Sequence, residues 1–309
     1  MPSRNIETLL RLAGEANYDD LTSDKTNRAA IDAYSPQFVL VEPPSLPQAG
    51  TFRGRAEWQA MHDKMRSLWQ QKLTVEKRWD VPWENVVVMR TTMEWTANAT
   101  GRSASWPTIE LLWFDDDARI ARIEIFHQDT ALILGTLDEP ARAEAAAATD
   151  TSYATPPHAA LAAGPPEPSR NLLAYRRMQH SAEFEHDITS DKSRQAMWDN
   201  FTPGYEIVEP GSLPHGGVYK GREEWAKMNA TMRSLWAQKV RPLHVWDVPE
   251  DDLIVLYSEM EWTARETGKT VTFPAVELLF YTDEKISKVE MFLQDTQIIL
   301  DTLSTSLEP

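Results

Sequence analysis

The chain has 309 residues, 42% hydrophobic and 25% charged, with 47 acidic against 31 basic side chains and a net charge of −16. A surface of that sign repels phosphate backbones and anionic lipid, which argues against nucleic acid and membrane surfaces as partners. The absence of cysteine excludes disulfides, thiolate nucleophiles and cysteine-ligated metals.

The opening MPSRNIETLL has no apolar core followed by a cleavage site, and no apolar run approaches membrane-spanning length, so a soluble cytoplasmic protein is expected. Ile6 to Ala16 carries a helical apolar pattern, and Ser23 or Asp24 is placed to cap a second helix running to about Ala33. Phe38–Val41 reads as a strand, ended by Pro43 and Pro44. Gly54 then precedes a third helix on which Trp58, Met61, Met65, Leu68 and Trp69 share one face. Four strand candidates follow at Leu73–Trp79, Val86–Ala97, Ser105–Phe114 and Ile120–Gln128. Asp129 is placed to cap a closing helix.

The whole order then returns. MRSLW at 65–69 recurs at 232–236, VEPPSLP at 41–47 is answered by VEPGSLP at 208–214, and WDVP, EWTA and QDT recur at a nearly constant offset. Two copies of this length are a duplicated domain rather than a solenoid. The predicted organisation is a first domain at 1–138, an Ala/Pro-rich linker at 139–168 and a second domain at 169–309. The linker has too few large apolar residues to repay its ordering entropy, although AEAAAA has helical character.

Several motifs resemble the nuclear transport factor 2-like superfamily, in particular its SnoaL-like branch. They are the AYSPQFVLVEP strand after two helices, the FRGRAEW glycine turn opening the third helix, and the ending ARIARIEIFHQDTALILGTL. Their second-half counterparts are DNFTPGYEIVEP, YKGREEW and EKISKVEMFLQDTQIILDTL. The resemblance implies two tandem α+β domains, each a strongly bent, mostly antiparallel sheet wrapped around a pocket and covered by three helices. It also implies packing of the halves as an intrachain pseudo-dimer, with further homodimerisation possible. The activities it implies are those of polyketide cyclases, dehydratases, isomerases and lyases of aromatic compounds, alongside non-enzymatic binding modules.

Glutamates lie inside otherwise apolar strands: Glu94, Glu110 and Glu124, with counterparts Glu261, Glu277 and Glu290. Glu42 and Glu209 close the first strand of each copy. Burial raises a carboxyl pKa, more so beside a second carboxylate, and a pair pushed apart supplies an acid and a base near neutral pH. Glu110/Glu277 and Glu124/Glu290 are therefore the expected acid and base. The last strand, bearing Glu124 and Glu290, is also where the SnoaL-like family often places acidic or histidine pocket residues. The competing reading pairs such a glutamate with Arg90, Arg122 or Lys288 across the sheet.

His62 shares the helix face of Trp58 and Met65, with Asn229 as its counterpart, and is a candidate helper base. His127, opposite in alternation to Glu124, is a weaker candidate. His180, His186, His215 and His244 read as surface or rim positions. Expected pocket walls are Trp58, Trp69, Trp95, Trp106, Trp113 and Phe126 in the first copy, and Trp225, Trp236, Trp262, Phe273 and Phe292 in the second. No HExxH, calcium loop, GxGxxG, GxxxxGK[ST] or GxSxG motif is present, so neither a metal nor another cofactor is expected. The expected function is a cofactor-independent acid–base lyase, cyclase, dehydratase or isomerase. Its ligand would be a hydrophobic, aromatic or polyketide-like small molecule. A non-catalytic binding protein and an interaction scaffold are the alternatives.

Overall fold

A computed structural model describes residues 2–148 and 167–304, in two compact units, Met1–Asp150 and Thr151–Pro309. The first unit runs α1 (Arg4–Glu15), α2 (Asp24–Ala33), β1 (Tyr34–Glu42), β2 (Gly50–Arg53), α3 (Gly54–Leu68), β3 (Trp69–Val81), β4 (Val86–Ala97), β5 (Ser103–Phe114), β6 (Ile120–His127), α4 (Thr130–Leu134) and α5 (Glu139–Ala148). The second repeats the plan: α6 (Arg170–Ser181), α7 (Phe184–Asp187), α8 (Asp191–Asn200), β7 (Phe201–Glu209), β8 (Gly217–Lys220), α9 (Gly221–Leu235), β9 (Trp236–Val248), β10 (Leu253–Ala264), β11 (Thr270–Thr282), β12 (Lys285–Leu293) and α10 (Thr296–Asp301). Among the described residues no helix is long and apolar enough to cross a membrane.

Six of the helix starts are written in their caps. Ser3, Ser23 and Asp129 accept from the amides of Ile6, Thr26 and Leu132, and Ser169, Ser190 and Asp295 do the same work in the second unit. Such caps satisfy amides that the helix leaves orphaned. Gly54 and Gly221 turn the chain from strand to helix at φ +66 and +68, a region that L side chains rarely adopt.

Each sheet is six-stranded and mixed, in the orders β2-β1-β6-β5-β4-β3 and β8-β7-β12-β11-β10-β9. The β1–β6 and β7–β12 pairs are parallel; the rest are antiparallel. Register shifts interrupt β3, β9 and both parallel pairs, and such bulges bend a strand. One face of each sheet closes with its helices over an apolar core.

Two expectations change at the ends of elements. Helix α3 stops at Leu68, and Trp69 begins β3 in extended geometry, as Trp236 begins β9. Both indoles are fully buried, their Nε1–H groups donating to Thr136 and Thr302 Oγ1 at 3.0 and 2.9 Å. The repeated MRSLW therefore carries a helix end and the anchor of the following strand, not a single helical stripe. The stretch from Glu139 begins as helix α5, whose Ala145 is buried in the core of the first unit. Residues 149–166 of the expected linker lie outside the described residues.

Candidate active site

Strand register gathers the polar groups of the first unit onto one face of its sheet. Arg78 on β3 pairs with Met89 on β4, Met89 with Glu110 on β5, and Glu110 with Ile125 on β6. Two residues along β6, His127 comes level with Thr108. Glu42 ends β1, which runs parallel to β6 with Leu40 beside Ile123, so Glu42 faces the same side as Ile125 and His127. Between this face and the helices lies a cavity of about 150 Å³, with Tyr18, Tyr34, Glu42, His62, Glu110 and His127 among its lining. A cavity of about that size, lined by Leu, Ile and Phe, holds a benzene molecule.

His127 links the carboxylates to the aromatic wall. Its Nδ1 accepts from Trp106 Nε1 at 3.1 Å, and its Nε2 lies 3.6 Å from Glu42 Oε2. Indole is a donor only, so this bond fixes the tautomer and leaves the Nε2 proton aimed at Glu42. The His127 ring also meets Trp95 edge-on at 5.3 Å. His62 stacks on Trp58 at 4.9 Å, with its Nε2 3.2 Å from the Leu21 carbonyl.

In the second unit the equivalent row is Val245, Leu256, Glu277 and Met291, and Glu209 ends β7. Its cavity, about 110 Å³, is lined by both glutamates together with Trp225 and Trp262. Leu293 takes the place of His127, yet a histidine still stands beside the strand-end carboxylate. His215, in the β7–β8 connection, puts Nε2 3.9 Å from Glu209 Oε2. Its position answers Gln48 of the first copy. Each half thus brings a histidine to the same glutamate from a different segment of chain.

The surroundings set the ionisation of these groups. Burial, then the charge of Glu42, pushes the Glu110 carboxyl up to about 7, against the opposing pull of Arg78. Burial raises Glu277 to about 7, and burial together with Glu277 raises Glu209 to about 8. Burial lowers His215 to about 4 and also lowers His62. Near neutral pH each cavity therefore holds a carboxyl group that can gain or lose a proton, with the uncharged imidazole of His62 on the wall of the first and that of His215 beside Glu209 in the second half.

Of the expected site residues, Glu110, Glu277, His62, Trp58, Trp225, Trp95 and Trp262 line the cavities. Trp106 sits behind His127 as its hydrogen-bond donor, and Phe273 packs on Trp262 at 5.5 Å. Trp69 and Trp236 back the wall, 5.1 and 5.3 Å from Trp95 and Trp262.

The remaining expectations are corrected. Glu124 and Glu290 point to the opposite sheet face, one residue out of phase with Ile125 and Met291, and are bound to cations. Arg122 Nε and Lys288 Nζ lie 2.6 and 2.7 Å from them. Phe126 and Phe292 share that face by alternation, and Trp113 lies there under the Arg122 guanidinium at 5.9 Å. Glu94 is exposed on the same side of β4, and Glu261 pairs with Lys239 at 2.6 Å. The ion-pair alternative names the cations of Glu124 and Glu290, although each lies two residues away on the same strand rather than across the sheet, and Glu261 pairs across strands with Lys239, which it does not name. His215, expected at the surface, is fully buried with its ring 5.7 and 5.8 Å from Trp236 and Trp262.

Glu42 and Glu209 were visible only as strand ends, and His127 only as a weaker candidate. The signal that could have found them is the parity of His127 with Ile123 and Ile125 on the inward face of the last strand.

No family model and no curated protein matches this chain. Among solved structures, a nuclear transport factor 2-like protein of unknown function from Burkholderia pseudomallei is 19% identical, covering 44% of this chain and 98% of its own, with a TM-score of 0.38. TerC, crystallised with polyporic acid, is 18% identical over 43% of this chain and 98% of its own, with a TM-score of 0.37. A protein described as a candidate SnoaL-like polyketide cyclase from Jannaschia sp. is 19% identical over 47% and 97%, with a TM-score of 0.36. Each half of this chain places helices over a six-stranded mixed sheet with a cavity between them.

Proposed function

We propose that the protein is a cofactor-independent acid–base catalyst acting on a small, largely apolar molecule about one ring in size. Glu110 and Glu277 are the proton-transferring groups. Glu42 and Glu209 are the carboxyls beside them, Glu42 adding its charge to the burial that brings Glu110 near neutrality while burial alone does so for Glu277, and His127 and His215 position those partners. One observation carries this reading: two inward-facing glutamates line a mostly apolar cavity between sheet and helices, and the arrangement occurs twice in one chain.

The chemistry follows from the surroundings. A carboxylate with few competing hydrogen bonds abstracts a proton beside a carbonyl, and the resulting acid returns it to another atom. Positioned proton transfer of this kind contributes about 10²–10⁴-fold in rate. The same pair serves an isomerase, a dehydratase, a cyclase or a carbon–carbon lyase, depending on which bond the ligand presents.

The test is exchange of α-protons for deuterium in small cyclic and aryl ketones dissolved in D2O, followed by proton NMR. The chain is expected to accelerate exchange by about 10²-fold or more over buffer, and the double variant Glu110→Gln, Glu277→Gln to lose the acceleration while remaining folded. Full exchange in the double variant would remove both residues from the mechanism. A second reading, a binding module without turnover, is favoured by the methionine-rich wall of the second cavity, which includes Met178, Met197 and Met291. Saturable ketone binding with no exchange would select it.

A further inference from the structure

The two cavities occupy equivalent places in two copies of one fold, yet their walls differ in a consistent direction. In the first, His62 lines the space and its Nε2 faces the carbonyl of Leu21, which can only accept. Nε2 must therefore carry the proton, and the neutral ring presents a bare lone pair at Nδ1. That atom is buried with no hydrogen-bond partner. Burial holds the ring neutral, so the lone pair persists at physiological pH. Arg78, in the same cross-strand row as Glu110, also has a buried Nε without a partner. A buried, unpaired acceptor is costly unless something fills it.

In the second cavity the imidazole lone pair is gone from the wall and the guanidinium from the row beside it, and the unpartnered polar atoms that stay on the wall are Tyr175 Oη and Gln238 Nε2. Asn229 replaces His62 and Val245 replaces Arg78. Leu12, Ala30 and Ile125 become Met178, Met197 and Met291, all three on the cavity wall. Thioether side chains fill irregular space and adapt to apolar guests without offering a strong hydrogen bond.

We infer that the two halves take different ligands: a hydroxylated single-ring molecule in the first cavity, its hydroxyl donating to His62 Nδ1, and a ring without that hydroxyl in the second. The inference rests on both cavities being ligand sites, as the proposed function requires, but not on turnover. A wall built to bond a hydroxyl discriminates against the analogue lacking it, because its own polar atom is then left unpaired. A wall with fewer such unpaired atoms and more methionine makes the opposite choice. Duplication would thus have freed one copy to hold a second member of the same chemical class.

The experiment uses the full chain with 4-fluorophenol and 4-fluorotoluene as probes, read by fluorine NMR. Leu40→Trp fills the first cavity and Ile207→Trp the equivalent place in the second. Leu40→Trp is expected to abolish the tighter 4-fluorophenol site and leave 4-fluorotoluene bound; Ile207→Trp is expected to do the reverse. His62→Asn, a milder change that copies the second cavity, is expected to weaken 4-fluorophenol by about ten-fold without moving 4-fluorotoluene. It decides the matter if a tryptophan variant does not fold. An unchanged 4-fluorophenol affinity in His62→Asn, equal losses of both probes in either blocked variant, or no binding of either probe would overturn the inference. Discrimination that survives while ketone exchange is absent would overturn only the acid–base reading.

Discussion

His127 and Glu42 face each other inside the first cavity, Nε2 3.6 Å from Oε2, on side chains that are each 1% exposed. Neither residue is local to the other in sequence; the parallel pairing of β1 with β6 brings them together. Replacing His127 by Leu, the residue of the second copy, leaves Glu42 without its facing imidazole and Trp106 Nε1 without an acceptor. The expected cost is about 1–3 kcal/mol, measured as a shift in urea unfolding. Adding Gln48→His, which copies the placement of His215, is expected to recover a good part of that loss. No recovery in the double variant would mean that the two histidines are not doing the same work.

The pH dependence of stability has a definite sign. Glu110, Glu277 and Glu209 titrate at about 7, about 7 and about 8 in the folded chain, against about 4.3 when unfolded. The folded state holds the extra protons between these limits. Its stability is full below the unfolded value and falls as pH rises through the folded ones. His215, lowered to about 4, acts in the other direction, and only below its unfolded value of about 6.5. Above about pH 6.5, where His215 no longer acts, the fall still to come by about pH 8.5 is about 1 kcal/mol for each of Glu110 and Glu277 and about 2 kcal/mol for Glu209. The urea midpoint of the native chain is expected to drop across that window, and less steeply in Glu110→Gln, Glu277→Gln. A midpoint that rises there contradicts the account.

The repeated tryptophan anchor makes a stability prediction that is separate from the cavities. Trp69→Phe removes the donor to Thr136 and leaves a void where the indole lay, as Trp236→Phe does at Thr302. Each is expected to cost about 2–4 kcal/mol by calorimetry or urea unfolding. A loss below about 0.5 kcal/mol would show that the anchor is incidental.

Glu94 and Glu261 lie on the outward side of their strands, so Glu94→Gln and Glu261→Gln are expected to leave ketone exchange and probe binding within about two-fold of the native chain, stability changing by about 0.5 kcal/mol or less. A ten-fold loss of exchange in either would return the outward glutamates to consideration.

These predictions divide along the line between local and distant information. The duplication, the serine and aspartate caps and the inward aromatic residues of β4 and β10 were legible because each is a local pattern. Glu110 and Glu277 were legible as glutamates in apolar strands, but so was Glu124, and a strand buried on both faces carries no alternation to tell them apart. Only the register of β5 with β6 shows that Ile125, and not Glu124, stands beside Glu110 on the inward face. Glu42 looked like a strand terminus because Pro43 and Pro44 stop β1; its inward role depends on a parallel pairing with no local signature. His215 follows Leu213 and Pro214 in a turn-like stretch and so reads as surface. Its burial comes from packing against Trp236 and Trp262, which no neighbouring residue announces. Helical spacing continues through Trp69, so the local pattern reads it as helix, whereas the backbone there has turned to strand.

The account stands on carboxyl groups that keep their protons near neutral pH, and carbon-13 NMR of glutamate labelled at the side-chain carboxyl reads this directly. Resonances that titrate between about pH 6.5 and 8, two of them lost in the Glu110→Gln, Glu277→Gln variant, are the expected result. Titration of every glutamate carboxyl near the ordinary value of about 4.3 would contradict it.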